Sequence, residues 1–271
     1  MADEIPVFPK ASTLLIHTGN IVNWDRLKHK PNHTPTEELS ECISATLSTH
    51  LKAADKNALQ YVTLLDCVNF KFKETLPSEE REDLKLTVKL FLCSLQPADT
   101  IEEAIQRVLT ELNVTFIETV LIAFPEFEDD DINLEIVKPY WKILEDFVHR
   151  EVVLSVGISD LDKNQLEELY NWSEIKPVIN QVNLASCCVM PKDLVTYAKE
   201  NDIQLLTHND PRNILPVKSL QDVIAQNSTE KDSENWEPLW ALRYSVLVKC
   251  RGIIKTKGYI MKGSKDIKKR K

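Results

Sequence analysis

The chain has 271 residues, 43% of them apolar, and a formal net charge of −9 at pH 7. That length can bury one large core, and a single α/β barrel of about 250 residues fits it. The negative charge argues against a general nucleic-acid binder. No stretch of about 18 apolar residues that could cross a membrane occurs. The N-terminus MADEIPVFPK lacks the basic start and apolar run of a secretory signal, which predicts the cytosol.

Apolar runs and helical periodicity alternate along the chain. Strands are predicted at 13–18, 61–66, 85–93, 115–124, 152–159, 178–185, 202–208 and 253–256. Helices are predicted at 36–53, 99–112, 134–150, 163–172, 193–201 and 236–249. Parallel strands need crossover connections, which are usually helices, so this order predicts an α/β (β/α)8 TIM barrel that is truncated after its eighth strand.

The ends and loops complete the predicted organisation. Residues 1–260 are predicted to form the barrel, and residues 261–271 are predicted to form a basic, disordered C-terminal tail. The polar segment 227–235 is predicted to be a loop. Only five glycines occur, and no glycine-rich phosphate loop is present. The six cysteines and six histidines show no metal-ligand spacing, so no metal site is predicted.

The strand ends between Val156 and Pro211 carry Gly-Ile-Ser, Lys-Pro and Asn-Gln-Val in succession. This order resembles the aldo-keto reductase barrel. A closer resemblance is to the family of glutamate–cysteine ligase regulatory (modifier) subunits, and it is carried by the segments SDLDK, NQVNLASCCVMP and DIQLLTHNDP. That resemblance covers nearly the whole chain. It implies a non-catalytic cytoplasmic protein that forms a heterodimer with the ligase's catalytic subunit, without nucleic acid or membrane. It also implies improved glutamate use and relief of glutathione feedback inhibition in glutathione biosynthesis.

The reductase resemblance implies a site of which this sequence retains a part. Lys89 in REDLKLTVKLF matches the site lysine, and Asp66 at the end of YVTLLD matches the site carboxylate. Lys71 stands near the position of the tyrosine acid, and Ala123 replaces the site histidine. Alanine cannot donate a hydrogen bond, so a degenerate site is predicted. Asp66 and Lys89 are expected either as an ion pair across the barrel mouth or in a ligand role.

Three further residues match cofactor positions of the resembled family. Ser159 and Gln181 match those that hold the nicotinamide amide, and Lys257 lies in the basic element for the cofactor phosphate. No cofactor is required by this interpretation, and NADP(H) binding stays open. Two alternatives follow from it, an NADP(H)-binding sensor and a weak NADPH-dependent oxidoreductase.

Two loops could contact the catalytic subunit. The acidic run 126–131 includes Glu128 and Asp129, and Cys187-Cys188 follows a strand where a redox-dependent bond could form. A solvated loop and two reduced thiols are the alternatives. The apolar segment 236–244, predicted as a helix, is expected to pack in the core or to meet a partner.

Overall fold

The computed structural model describes residues 8–22, 24–28, 33–126, 132–183 and 189–265. Nine strands form one sheet in the order β2-β1-β9-β8-β3-β4-β5-β6-β7. Their bounds are β1 Thr13–His17, β2 Leu64–Val68, β3 Leu84–Leu92, β4 Thr119–Ala123, β5 Val156–Ser159, β6 Ile179–Asn183, β7 Gln204–His208, β8 Trp236–Val248 and β9 Ile253–Lys265. β1 pairs with β2, and β3 to β7 pair in succession, all parallel.

Nine helices connect these strands in the described ranges. They are α1 Asp25–Lys28, α2 Pro35–Ala53, α3 Lys56–Leu59, α4 Thr100–Leu112, α5 Leu134–His149, α6 Lys163–Trp172, α7 Lys192–Glu200, α8 Val217–Asn227 and α9 Glu230–Ser233, with a 3-10 turn at Ser78–Asp83. Two of them begin with reciprocal caps, Thr34 with Glu37 before α2 and Asp162 with Gln165 before α6. The helices predicted at 36–53, 99–112, 134–150, 163–172 and 193–201 are present, with ends shifted by one residue or less.

The class is α/β with a mostly parallel sheet, as predicted, and it is consistent with a barrel-like fold. Closure is not found within the described ranges, where β2 and β7 are the outer strands of the sheet. The long antiparallel hairpin β8–β9 lies between β1 and β3, pairing with β3 on one side and β1 on the other. The predicted eighth strand is thus part of this hairpin and runs antiparallel to its neighbours.

Helices cover both faces of the sheet. α2 and α8 pack with Leu14 and Ile16 in one apolar cluster. α4, α5, α6 and α7 pack with Leu15, Val88 and Leu90 in the other. Because neighbouring residues of a strand point to opposite faces, the register assigns every strand residue to one of these two sides.

The prediction of a helix at 236–249 is wrong, because this segment forms strand β8. It is rich in aromatic and β-branched residues, which favour strands, and it carries no clean helical stripe. Trp236, Trp240, Leu242 and Tyr244 are almost fully buried, since the hairpin lies inside the sheet with cover on both faces. Apolar side chains that a helix would place around its whole circumference are here shared between two covered faces.

Two other boundary predictions are also corrected. The segment 227–235 holds the end of α8 and the short helix α9, not a loop alone. β9 continues through Lys265, so residues 261–265 belong to the sheet and not to a tail. Residues 266–271 lie outside the described part. Within that part, no helix is long and apolar enough to cross a membrane.

Candidate functional site

Five polar residues meet at the carboxyl ends of the parallel strands, and we call them the strand-end cluster. They are Lys89, Asp160, His208, Asp210 and Arg243. The Lys89 Nζ lies 2.9 Å from Asp210 Oδ2, and the Arg243 guanidinium binds both Asp210 oxygens at 2.6 and 2.8 Å. Lys89 and Arg243 are register partners on β3 and β8, which brings both cations to one carboxylate.

His208 connects the two carboxylates of the strand-end cluster. Its Nδ1 accepts the backbone N–H of Asp210 at 3.2 Å, so the ring proton lies on Nε2 and is donated to Asp160 Oδ1 at 3.0 Å. Asp160 adopts φ 63° just after β5 and also accepts the backbone N–H of Asn183. Two cations, two carboxylates and one neutral imidazole leave the strand-end cluster with no net charge.

Burial controls the electrostatics of this cluster. The Asp210 side chain is 2% exposed and that of Lys89 is 4% exposed. Burial lowers the pKa of Lys89, against the opposing effect of Asp210. Burial alone would raise the pKa of Asp210, but hydrogen bonds and charge from Arg243 and Lys89 bring it below its ordinary value. The carboxylate therefore stays ionised, and the lysine is sealed from solvent.

The row of Lys89 and Arg243 continues across the hairpin to Tyr259, the register partner of Arg243 on β9. The Tyr259 hydroxyl donates to Glu38 Oε1 at 2.5 Å, and Lys257 Nζ binds the same oxygen at 2.6 Å. Burial raises the pKa of Tyr259 well above its ordinary value. A buried phenol that already donates to a carboxylate is poorly suited to give a proton to a substrate.

Ser159 and Gln181 are neighbours on β5 and β6, as register partners. Within the described part, the buried Ser159 Oγ and Gln181 Oε1 have no hydrogen-bond partner. Lys257 lies elsewhere, beside a cavity of about 230 Å³ that Trp24, Leu27 and Glu38 also line. Four strand intervals of about 4.8 Å separate β9 from β5, so roughly 19 Å of sheet divides the predicted cofactor residues into two places.

Asp66 and Lys89 do not form the predicted ion pair. Asp66 pairs in register with Leu15, whose side chain packs on the side of α4 to α7. Lys89 lies between Val88 and Leu90, which pack on that same side, so the side chain of Lys89 points to the other side. The partner of Asp66 is Arg107 on α4, which binds both carboxylate oxygens at 2.8 Å. The sequence places both residues in strands, but only the register shows that they occupy opposite faces.

A second buried network surrounds Glu111 on α4. Its carboxylate binds His17 Nδ1 at 3.1 Å, Lys73 Nζ at 2.8 Å and Arg107 at 2.7 Å. His17 Nδ1 therefore donates, and its Nε2 is hydrogen-bonded to the Tyr244 hydroxyl at 3.1 Å. Burial alone would raise the pKa of Glu111, but the hydrogen bonds of His17 and Lys73 and the charge of Arg107 lower it to about 2.

The lowered pKa of Glu111 predicts a contribution to acid stability. A carboxyl whose folded pKa lies below its ordinary 4.5 stabilises the fold above that pH, and the contribution disappears as the pH falls from 4.5 towards about 2. We expect Glu111→Gln to unfold more easily at pH 7 and to show less change in its free energy of unfolding over this window. Glu79→Gln, at an exposed site, is the control. Equal pH dependence of the Glu111 variant and the unchanged chain would contradict this account.

Four of the predicted contact residues, Glu128, Asp129, Cys187 and Cys188, lie outside the described residues. Ala123 ends β4 beside Phe91, and its methyl group offers no hydrogen bond there. Lys71 is exposed, with its Nζ over the Phe72 ring. No group of His, Cys, Asp and Glu that could hold a metal ion is found in the described ranges.

Comparison with known proteins decides the family. The sequence model of the Aldo/keto reductase family matches residues 68–246. The glutamate–cysteine ligase regulatory subunits of Mus musculus and Homo sapiens are each 42% identical to this chain over 258 residues, which cover 94% of the chain and 94% of each relative. The chain belongs to the aldo/keto reductase family, in the group of glutamate–cysteine ligase regulatory subunits. Among solved structures, an aldo-keto reductase of Bombyx mori in complex with NADP matches at 20% identity, covering 70% of this chain and 57% of that one, with a TM-score of 0.37.

Several residues of the strand-end cluster and its surroundings escaped the sequence analysis. Asp210 lies two residues after the end of β7, and a carboxylate after a parallel strand was a usable signal. Arg243 and Tyr259 gave no such signal in the sequence. Arg243 lay in a segment that was predicted to be a helix. His208 bridges Asp160 and Asp210.

Proposed function

We propose that this chain is the non-catalytic regulatory subunit of glutamate–cysteine ligase. It binds the catalytic subunit, improves the use of glutamate and relieves inhibition by glutathione. The observation that carries the proposal is the 42% identity to proteins of that name over 94% of both chains. A match over the whole length includes the surfaces as well as the fold, which a match to the barrel alone does not.

Regulation of this kind is a shift of a conformational equilibrium. The regulatory subunit must bind one state of the catalytic subunit more tightly than another, because a partner with equal affinity for both states changes nothing. A tenfold change in the apparent affinity for glutamate requires about 1.4 kcal/mol of such coupling. An interface of ordinary size can supply this difference.

Co-elution tests the proposal directly. The purified chain is mixed with the catalytic subunit of glutamate–cysteine ligase and separated by size-exclusion chromatography, with each protein alone as a control. We expect a complex with one copy of each chain in a reducing buffer like the cytoplasm, in which cysteines stay as thiols. Separate elution at micromolar concentrations would contradict the proposed function.

The aldo/keto reductase site is degenerate in this proposal. Ala123 supplies no hydrogen bond, Lys89 is enclosed by Asp210, and the hydroxyl of Tyr259 is held by Glu38. Each of these features removes a group that carbonyl reduction needs at an open site.

The expected result with a reactive aldehyde is therefore no consumption of NADPH. A positioned general acid alone contributes about 10² to 10⁴ in rate, and the two proton donors described at this site, Lys89 and Tyr259, are held by Asp210 and Glu38. The measurement is the nicotinamide absorbance, with an ordinary aldo-keto reductase as the positive control. Turnover within about tenfold of that control, abolished by Tyr259→Phe, would identify a relocated acid and sink the degenerate-site proposal.

Binding of NADP(H) without turnover is the second candidate, and the unpartnered Ser159 Oγ and Gln181 Oε1 favour it. Buried polar atoms without partners cost stability, and an amide ligand would satisfy both. Such a protein would act as an NADP(H)-binding sensor. Lys257 would serve this ligand only by leaving Glu38.

A thermal scan tests the NADP(H) proposal. A ligand at one hundred times its Kd stabilises the folded state by about 2.7 kcal/mol, so millimolar NADP(H) should raise the melting temperature clearly. Ser159→Ala should reduce this shift, whereas Thr207→Ala on the exposed side of β7 should not. The absence of a shift in the unchanged chain would leave Ser159 and Gln181 as structural residues.

The acidic loop with Glu128 and Asp129 and the cysteines Cys187 and Cys188 stay proposed contributors to the contact. Acidic side chains would speed association with a basic surface, and this effect would shrink as salt rises. The cysteines would strengthen the contact only under oxidising conditions.

A further inference from the structure

The outer edge of β2 is one of the two backbone edges of the sheet that no strand of the described ranges pairs with. β2 pairs with β1 over five consecutive residues without a bulge, and no strand of the described chain pairs with its other side. An unpaired strand edge presents a row of N–H and C=O groups that can pair with another chain.

The hydrogen bonds to β1 show which groups point outward. Thr63 O accepts from the backbone N–H groups of Ser12 and Thr13, and Asn69 N–H donates to His17 O. Because the direction alternates along a strand, the odd-numbered residues of β2 bond to β1. The backbone groups of Leu64 and Asp66 and the N–H of Val68 therefore face the open side, while Val68 O accepts from the backbone N–H of Phe70.

This edge has neither proline nor lysine and is flanked by exposed apolar side chains. The sequence of β2, LLDCV, has no proline and no lysine, which are common devices against edge pairing. Tyr61 precedes the strand with 85% of its surface exposed, and Phe70 follows it with 76% exposed. Leu64 itself is 43% exposed. The opposite edge, β7, has the exposed polar residues Gln204 and Thr207 instead.

The charge of Asp66 argues against a second copy of this chain as the occupant. A symmetric antiparallel pairing that uses all three outward residues would place Asp66 opposite Asp66 of the second copy. Like charges directly opposite each other are destabilising, and each carboxylate is 36% exposed beside its own Arg107. A different chain can place a neutral or basic side chain at this position.

We propose that the outer edge of β2 receives an extended segment of the catalytic subunit as an added strand. This proposal rests on the proposed function, and it names the surface through which the partner binds. The backbone of the added segment pairs with Leu64, Asp66 and Val68, while its apolar side chains cover Tyr61 and Phe70. The segment carries a neutral or basic residue opposite Asp66, which gives the contact its selectivity.

Proline scanning of the two edges tests this proposal. Val68→Pro removes an outward N–H of β2 without touching the bonds to β1. Thr207→Pro is the matched control on β7, where Gln204 N–H bonds to Val178 O and the odd-numbered residues therefore point outward. Leu64→Lys is a second variant that keeps the backbone intact and adds charge to the edge. Circular dichroism and melting temperature check the fold, and titration calorimetry with the catalytic subunit gives the Kd.

The expected result is a Kd at least about tenfold weaker for Val68→Pro and Leu64→Lys, with Thr207→Pro close to the unchanged chain. If Val68→Pro does not fold, Leu64→Lys decides. Unchanged binding by the folded β2 variants, or an equal loss from Thr207→Pro, would overturn the proposal and leave the proposed function in place. A homodimer of the unchanged chain that Leu64→Lys dissociates would also overturn it. If the unchanged chain does not bind the catalytic subunit, the proposed function itself fails.

Discussion

Replacing Asp210 by Asn is expected to lower the free energy of unfolding by about 3 to 5 kcal/mol. The carboxylate is the counter-ion of both Lys89 and Arg243, and it is 2% exposed. Removing its charge leaves the buried Lys89 and the partly buried Arg243 with no compensating anion at the same position, which is far more costly than losing a surface ion pair. The amide also keeps the shape of the side chain, so the loss reports mainly charge.

Asp222→Asn is the matched control for this experiment. Asp222 pairs with Lys218 on α8, where the two side chains are 48% and 75% exposed. Its removal is expected to change stability by less than about 1 kcal/mol. Denaturant unfolding at pH 7 measures both variants. A loss of the same small size for Asp210→Asn would mean that Lys89 and Arg243 do not depend on this carboxylate.

Gly258→Ala is expected to lower the free energy of unfolding by about 3 kcal/mol or more, although it adds a single methyl group. A Cβ at Gly258 would lie 2.3 Å from Gly19 O and 2.3 Å from the Tyr244 hydroxyl. The Gly19 carbonyl cannot retreat easily, because Gly19 itself has φ 69° and its own Cβ position is filled by the backbone of Phe72. Displacement of Tyr244 would also break its hydrogen bond to His17.

Gly263→Ala on the same strand separates crowding from the general cost of changing a glycine. A Cβ there would lie 3.3 Å from its nearest neighbours, Glu237 O and Leu220 Cδ2. We expect a clearly smaller change in the free energy of unfolding than at Gly258. Similar losses at the two positions would show that β9 does not pass as close to the turn after β1 as described.

Elements with a single clear period were predictable from the sequence. α6 begins at Lys163 and ends at Trp172 as predicted, because a capping box precedes it and one stripe of leucines faces the core. β4 was recognisable as a short, entirely apolar run. β8 was not, because a strand covered on both faces loses its period of two and can be mistaken for a buried helix.

The limits of the site prediction have the same physical origin. Lys89 lies within β3 and binds Asp210, whereas its predicted partner Asp66 lies on the opposite face. Register depends on which strands become neighbours, and the hairpin β8–β9 between β1 and β3 is a long-range choice that local patterns do not encode. Arg243 and Tyr259 reach the Lys89 row only through that choice.

Regulation of a ligase by this chain is the central claim, and the glutamate dependence of the catalytic subunit tests it most directly. The initial rate of the catalytic subunit is measured over a range of glutamate concentrations, with this chain added from none to a molar excess. The account predicts that the apparent KM for glutamate falls and reaches its limit at a one-to-one ratio, and that inhibition by added glutathione weakens in parallel. An apparent KM and a glutathione sensitivity that stay constant at saturating excess would contradict it.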